Sequence, residues 1–227
     1  MIGVFRAAWL IARKDLVVET RSRELLYTTL FFAVSCVLVF AWSFIRLGQP
    51  VENAPAGVLW VAVVFSGTLA LGRAFERERH AETLRGLLIA PIERSAVYLG
   101  KLFALLVLLT LVEIVLVPVV ALFFRAPIFR APWLLLGLLA AGTVGFAAVG
   151  TLFAAMLVRT QSRDVLLPIV LYPVTVPVVI AGVQGTAAIF AGEPDFGLAA
   201  TCLTLLIFFD AVFITLALWT FAPVMHE

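Results

Sequence analysis

RAFERERHAETLRGLLIAPIERSAVYLGK, residues Arg73–Lys101, decides how this chain is read. It holds ten of the thirty acidic and basic side chains: Arg73, Glu76, Arg77, Glu78, Arg79, Glu82, Arg85, Glu93, Arg94 and Lys101. Almost everything on either side is apolar. A charged, helix-length stretch between two long apolar runs belongs in water beside a membrane, open to another protein.

The composition agrees. The chain is 63% hydrophobic and 13% charged, with a mean hydropathy of +1.14. A soluble domain needs more charge than that to coat its surface. A bilayer core of about 30 Å takes about 20 apolar residues per helical span. The 227 residues therefore hold six spans and one amphipathic helix, with no separate soluble domain. We expect an all-α membrane protein: six transmembrane helices preceded by an N-terminal amphipathic interfacial helix. Cys36 and Cys202 both fall in apolar runs, which argues against a disulfide framework. Charges at Arg6, Arg13, Lys14, Asp15 and Glu19 interrupt any short apolar core, so no cleavable signal is expected.

Residues 3–24 are too charged to span. Phe5, Trp9, Ala12 and Leu16 recur at helical spacing with basic residues on other faces. That pattern describes a helix in the headgroup plane; the alternative is a solvated leader. The spans follow at 25–45, 57–75, 96–124, 133–158, 165–183 and 198–222, and the third is long enough to need tilt or a kink at Pro118. The fourth is rich in Gly and Ala, which permits close helix approach. Residues 184–197, with Gly and Pro, are expected as a short re-entrant or outer interfacial segment.

Orientation comes from Lys and Arg. Thirteen fall on one side, in the N-terminal helix, the Arg73–Lys101 stretch and the turn after span four; only Arg46, Arg125 and Arg130 fall on the other. This positive-inside asymmetry puts both termini and the charged stretch in the cytoplasm. Trp42, Trp60 and Trp133 are then expected as belt residues near the outer interface, and Trp219 near the inner one.

Within the charged stretch, residues 75–88 are helix-like, and Glu82 and Arg85 are spaced to pair across a turn. Pro91 stops that helix, and Ser95 is the expected cap of the next. A bounded charged helix joined to two spans at a bend can carry a push into the membrane. The chain has no motor of its own. Gly100-Lys101 superficially suggests a phosphate loop, but position 95 is Ser and position 102 is Leu, so no G-x-x-x-x-G-K-[ST] run exists. Any ATP is held by another subunit.

Two acids interrupt spans, Glu113 and Asp210. Each costs about 2.5–3.5 kcal/mol at a helix centre on insertion scales, so each should face the bundle, a cavity or a partner. Two readings stay open: a pathway or coupling site, or a protonated acid hydrogen-bonded to a neighbouring helix. Pro168, Pro173 and Pro177 free backbone carbonyls in span five; the span is either a mobile helix lining a path or a bent structural one. His80 and His226 lie near no ligand cluster or nucleophile motif, so neither a metal or bound cofactor nor a catalytic group is expected.

The runs Lys14–Leu26 (KDLVVETRSRELL), Gly57–Glu78, Thr83–Lys101 and Leu167–Gly182 resemble the CcmB family, the permeases of the bacterial haem exporter in cytochrome c maturation. The resemblance covers most of the chain and is most specific from span two to span three. It implies an exporter-type permease of an ATP-binding-cassette transporter in the bacterial inner membrane. Such a permease pairs with a second copy of itself and docks an ATPase subunit, which binds the ATP. A haem-handling membrane subunit, a small accessory membrane subunit and a periplasmic haem chaperone are the further implied partners, with haem as cargo. The docking residues are then Arg73, Glu76, Arg77, Glu78, Arg79, Glu82, Arg85 and Pro91. An exporter permease for a lipid, drug or polysaccharide, and a non-transporting membrane scaffold, are the alternatives.

Overall fold

A computed structural model describes residues 3–46, 49–50, 54–80, 93–157, 160 and 162–224. Its helices are α1 Val4–Ser22, α2 Glu24–Phe44, α3 Ala54–His80, α4 Arg94–Phe124, α5 Pro132–Met156, α6 Arg163–Phe190 and α7 Phe196–Val224. The last six are long and apolar enough to cross a membrane. A two-residue antiparallel bridge, β1 Ile45–Arg46 with β2 Gln49–Pro50, follows α2.

α3 and α5 form the centre. Their apolar windows are 67% and 72% buried, against 28% for α2 and 22% for α7, which therefore lie at the edges. Small residues let the central helices approach. A methyl group added at Gly150 of α5 would sit 2.3 Å from the Leu71 side chain of α3. At Gly142 of α5 and Gly182 of α6 it would sit 2.0 Å and 2.4 Å from the ring of Trp60.

Trp60 is thus no belt residue. It is fully buried in α3, wedged over two glycines of two other helices, and its indole N–H donates to Thr186 Oγ1 of α6 at 3.0 Å. That bond satisfies the one polar atom the ring would otherwise bury unpaired. Trp42, Trp133 and Trp219 do point outward, each at least 80% exposed.

α1 buries Ala7, Ala8, Ile11 and Ala12 and leaves Phe5 and Trp9 exposed. Its packed face meets the start of α4 at Gly100, where an added methyl group would lie 2.8 Å from the Ala8 carbonyl oxygen. Trp9 touches Phe103 edge-on, with ring centroids 5.7 Å apart. Arg23, at φ 53°, turns the chain between α1 and α2, and its N–H donates to the Glu19 carbonyl at 2.7 Å. Glu19 Oε1 accepts the Leu26 N–H at 2.8 Å, capping α2 from the preceding helix.

α4 has 31 residues, about 46 Å at 1.5 Å each, and is continuous through Pro118. The expected break at 184–197 is absent over its first half. α6 runs on to Phe190, and the chain turns only at 191–195 before α7 begins. Gly182 and Gly185 read as breakers but are packing positions, against Trp60 and against Leu138 with Cys202. A helix in lipid keeps its hydrogen bonds inside itself and does not stop at a glycine for want of propensity. Asp195 then caps α7 by accepting the Leu198 N–H at 2.8 Å.

Candidate functional site

The charged stretch begins as a direct continuation of a span. α3 is one helix from Ala54 to His80, so Arg73, Glu76, Arg77, Glu78 and Arg79 stand on a helix rooted in the protein's centre, with no break at residue 75. The side chains of 75–80 and all of 81–92, with Glu82, Arg85 and Pro91, lie outside the described residues. Arg73 is exposed, and its guanidinium is 3.8 Å from Glu24 Oε1 at the start of α2. So exposed a pair contributes little to stability.

Where the chain is again described, Glu93 and not Ser95 is the capping residue of α4. Ser95 lies in the first turn and its hydroxyl donates to Glu93 Oε2 at 3.5 Å. The carboxylate complements the positive end of the helix dipole without a capping bond.

Lys101, the last charge of the stretch, enters the bundle. It is only 7% exposed, and its ammonium donates to Asp15 Oδ2 of α1 at 2.6 Å, while Lys14 approaches Asp15 Oδ1 at 3.0 Å. One carboxylate thus ties α1 to α4 at the point where α4 leaves the charged segment. The sequence marks Lys101 but not Asp15, since nothing in the spacing pairs residues so far apart.

The intramembrane acids are not brought together. Glu113 of α4 is buried and accepts a hydrogen bond from the Thr143 hydroxyl of α5. Asp210 of α7 lies against α5 at Gly145, and its buried Oδ1 has no hydrogen-bond partner among the described residues. Thr143 and Gly145 are two positions apart, about 200° around a helix of 3.6 residues per turn. The acids therefore flank α5 from opposite sides. Thr143 is a partner the sequence did not disclose, because a lone Thr in an Ala/Gly-rich span carries no signal. Tyr98 of α4 adds a second polar tie to α5, donating its hydroxyl to the Ala148 carbonyl at 3.1 Å.

Pro173 and Pro177 are exposed on α6 on one outward stripe with Ile169 and Ile180, and Pro168 is half-buried. Within one copy of the chain the two exposed prolines thus face away from the bundle. α6 stays helical through all three. No group of three His, Cys, Asp or Glu side chains converges as a metal site among the described residues. Glu113→Gln keeps an acceptor for Thr143 while removing the ionisable group. We expect normal insertion and a thermal midpoint within about 2 °C of wild type, as read by scanning fluorimetry of the purified variant in detergent.

A family model described as "CcmB protein" matches residues 6–226 of this bundle. The chain belongs to the CcmB family. Among curated relatives of this CcmB-family chain, heme exporter protein B of Rhodobacter capsulatus is 29% identical over 137 residues, 60% of this chain and 62% of that protein. Heme exporter protein B of Escherichia coli K12 is 30% identical over 96 residues, 42% of this chain and 44% of that protein. The matched parts thus span between 44% and 62% of the length of these relatives.

Proposed function

We propose that this CcmB-family chain is the permease subunit of an ATP-binding-cassette complex in c-type cytochrome biogenesis, in the bacterial inner membrane with both termini cytoplasmic. It couples ATP hydrolysis by a partner subunit to haem export, or to release of the haem-loaded periplasmic chaperone. The observation that carries the reading is the unbroken helix from the buried Trp60 to the charged Arg77–Arg79 run. A force on that run is delivered along a helix axis, without a hinge, to the side chain that locks α3, α5 and α6 together. On the other limb, Lys101 and Asp15 join the start of α4 to α1, so both helices flanking the segment are tied into the bundle.

The family membership and the names of the relatives support the haem-linked setting. The sequence supports ATP binding by a partner rather than by this chain, since it has no phosphate-binding loop. The reading includes a second copy of the chain, the ATPase, and the haem-handling, accessory and chaperone subunits as partners, with haem as cargo and ATP on the partner.

The test is a chromosomal deletion complemented with this chain. Loss of haem-staining c-type cytochromes on deletion, restored by the wild-type chain, is the expected result. Intact c-type cytochromes in the deletion strain would overturn the haem-linked assignment in favour of an exporter for a lipid, drug or polysaccharide.

A further inference from the structure

A cavity of about 510 Å³ lies between α1, α2, α3 and α4, within the range of about 300–1,000 Å³ typical of small-ligand sites. Charged side chains line one end of it: Lys14, Asp15 and Glu19 of α1 and Arg23 at the elbow, with Lys101 of α4 buried against Asp15. Three cations against two carboxylates leave this end positive by one charge, with Lys14 and Lys101 sharing Asp15. Away from that end the wall turns apolar, with Leu71, Ala104, Leu105, Leu108 and Leu111. Leu71, Leu105 and Leu108 are buried, whereas Val18, Tyr27 and Leu111, which also line the cavity, are exposed on the outside of the bundle. The cavity therefore opens sideways, onto the surface that faces lipid in a membrane.

A ligand matching this arrangement is anionic at one end, apolar along the rest, and arrives from the bilayer. We propose that the cavity holds one anionic phospholipid, its phosphate at the Lys14–Arg23 end and an acyl chain along the α4 wall. Basic pockets between helices at the headgroup level are suited to such headgroups, and long Lys and Arg side chains keep their stems on apolar surface while their heads reach polar groups. The lipid fills the space beneath α1 and so fixes the seat of the helix that Asp15 clamps to α4. The proposal stands apart from the identity of the cargo and holds or fails whatever the complex transports.

The full-length chain is purified in mild detergent, delipidated, titrated with phosphatidylglycerol and examined by native mass spectrometry. One phosphatidylglycerol per wild-type chain is expected. Lys14→Gln should weaken binding about fivefold, the loss of one basic residue's attraction to an anionic headgroup, and Lys14→Arg should restore it. Ala104→Trp, which fills the wall, should lower occupancy by about tenfold or more; if that variant fails to fold, the Lys14 pair decides alone. Excess inorganic phosphate should not displace the lipid, because it gains nothing from the wall. Absence of a lipid adduct, equal binding by Lys14→Gln and wild type, or displacement by inorganic phosphate alone would each overturn the proposal.

Discussion

Gly142→Ala should destabilise this chain by about 2–3 kcal/mol, the cost of overpacking a well-filled core. The added methyl would lie 2.0 Å from the Trp60 ring. The ring has nowhere to go: it is fully buried, a methyl group on Gly182 of α6 would lie 2.4 Å from it, and its N–H is held by Thr186. In detergent the thermal midpoint should fall by about 5–10 °C, following the 2–4 °C per kcal/mol typical of chains this size. Trp60→Leu alone should also destabilise, through the cavity it opens and the Thr186 hydroxyl it leaves unpaired. The double variant should be more stable than the sum of the two losses predicts, because each change relieves the other. Additive losses would show that Gly142 and Trp60 do not meet.

Asp15→Ala should cost about 2–4 kcal/mol, toward the lower part of the range for breaking a buried ion pair, since the Asp15 side chain is itself 22% exposed. The change leaves the Lys101 ammonium buried at 7% exposure and close to Lys14, without the carboxylate that now separates them. Replacing both partners by apolar groups, Asp15→Leu with Lys101→Met, should recover most of the loss, because both charges of the pair are then gone. Scanning fluorimetry of the three variants separates these cases. Equal stability of Asp15→Ala and wild type would mean that the pair does not clamp α1 to α4.

The spans were legible because lipid imposes a length and an apolar composition that few other structures share. Five of the six helices begin and end within a few residues of the apolar runs read from sequence. The sixth, α6, was cut short because Gly182, Gly185 and Gln184 look like the end of a helix by soluble-protein propensity; in the bundle they belong to a helix that runs to Phe190, with both glycines in contact with neighbours. Trp60 misled for a related reason. A tryptophan near the start of a span reads as an interfacial anchor, and only the glycines of α5 and α6 beneath its ring reveal a wedge.

The candidate site was legible as an inventory of charges and less so as an arrangement. Glu113 and Asp210 announce themselves as charges that lipid would not tolerate unpaired, and Lys101 as the last charge of the hydrophilic stretch. Their neighbours Thr143, Gly145 and Asp15 announce nothing, since partners between helices carry no sequence spacing. The bend expected at the start of the charged stretch was likewise a matter of composition: the change from apolar to charged marks where helix α3 leaves the membrane, not where the helix ends.

The measurement that bears most directly on the coupling claim is recovery of a partner ATPase. A tagged copy of the chain is purified in mild detergent from cells making it at native level, beside the triple variant Arg77→Glu, Glu78→Arg, Arg79→Glu, and the co-purifying subunits are identified. The wild-type chain should bring down an ATP-binding-cassette ATPase, and the variant, inserted in equal amount, should recover about tenfold less. Equal recovery by both, or no ATPase with the wild-type chain, would contradict the claim that the charged extension of α3 is where the motor acts.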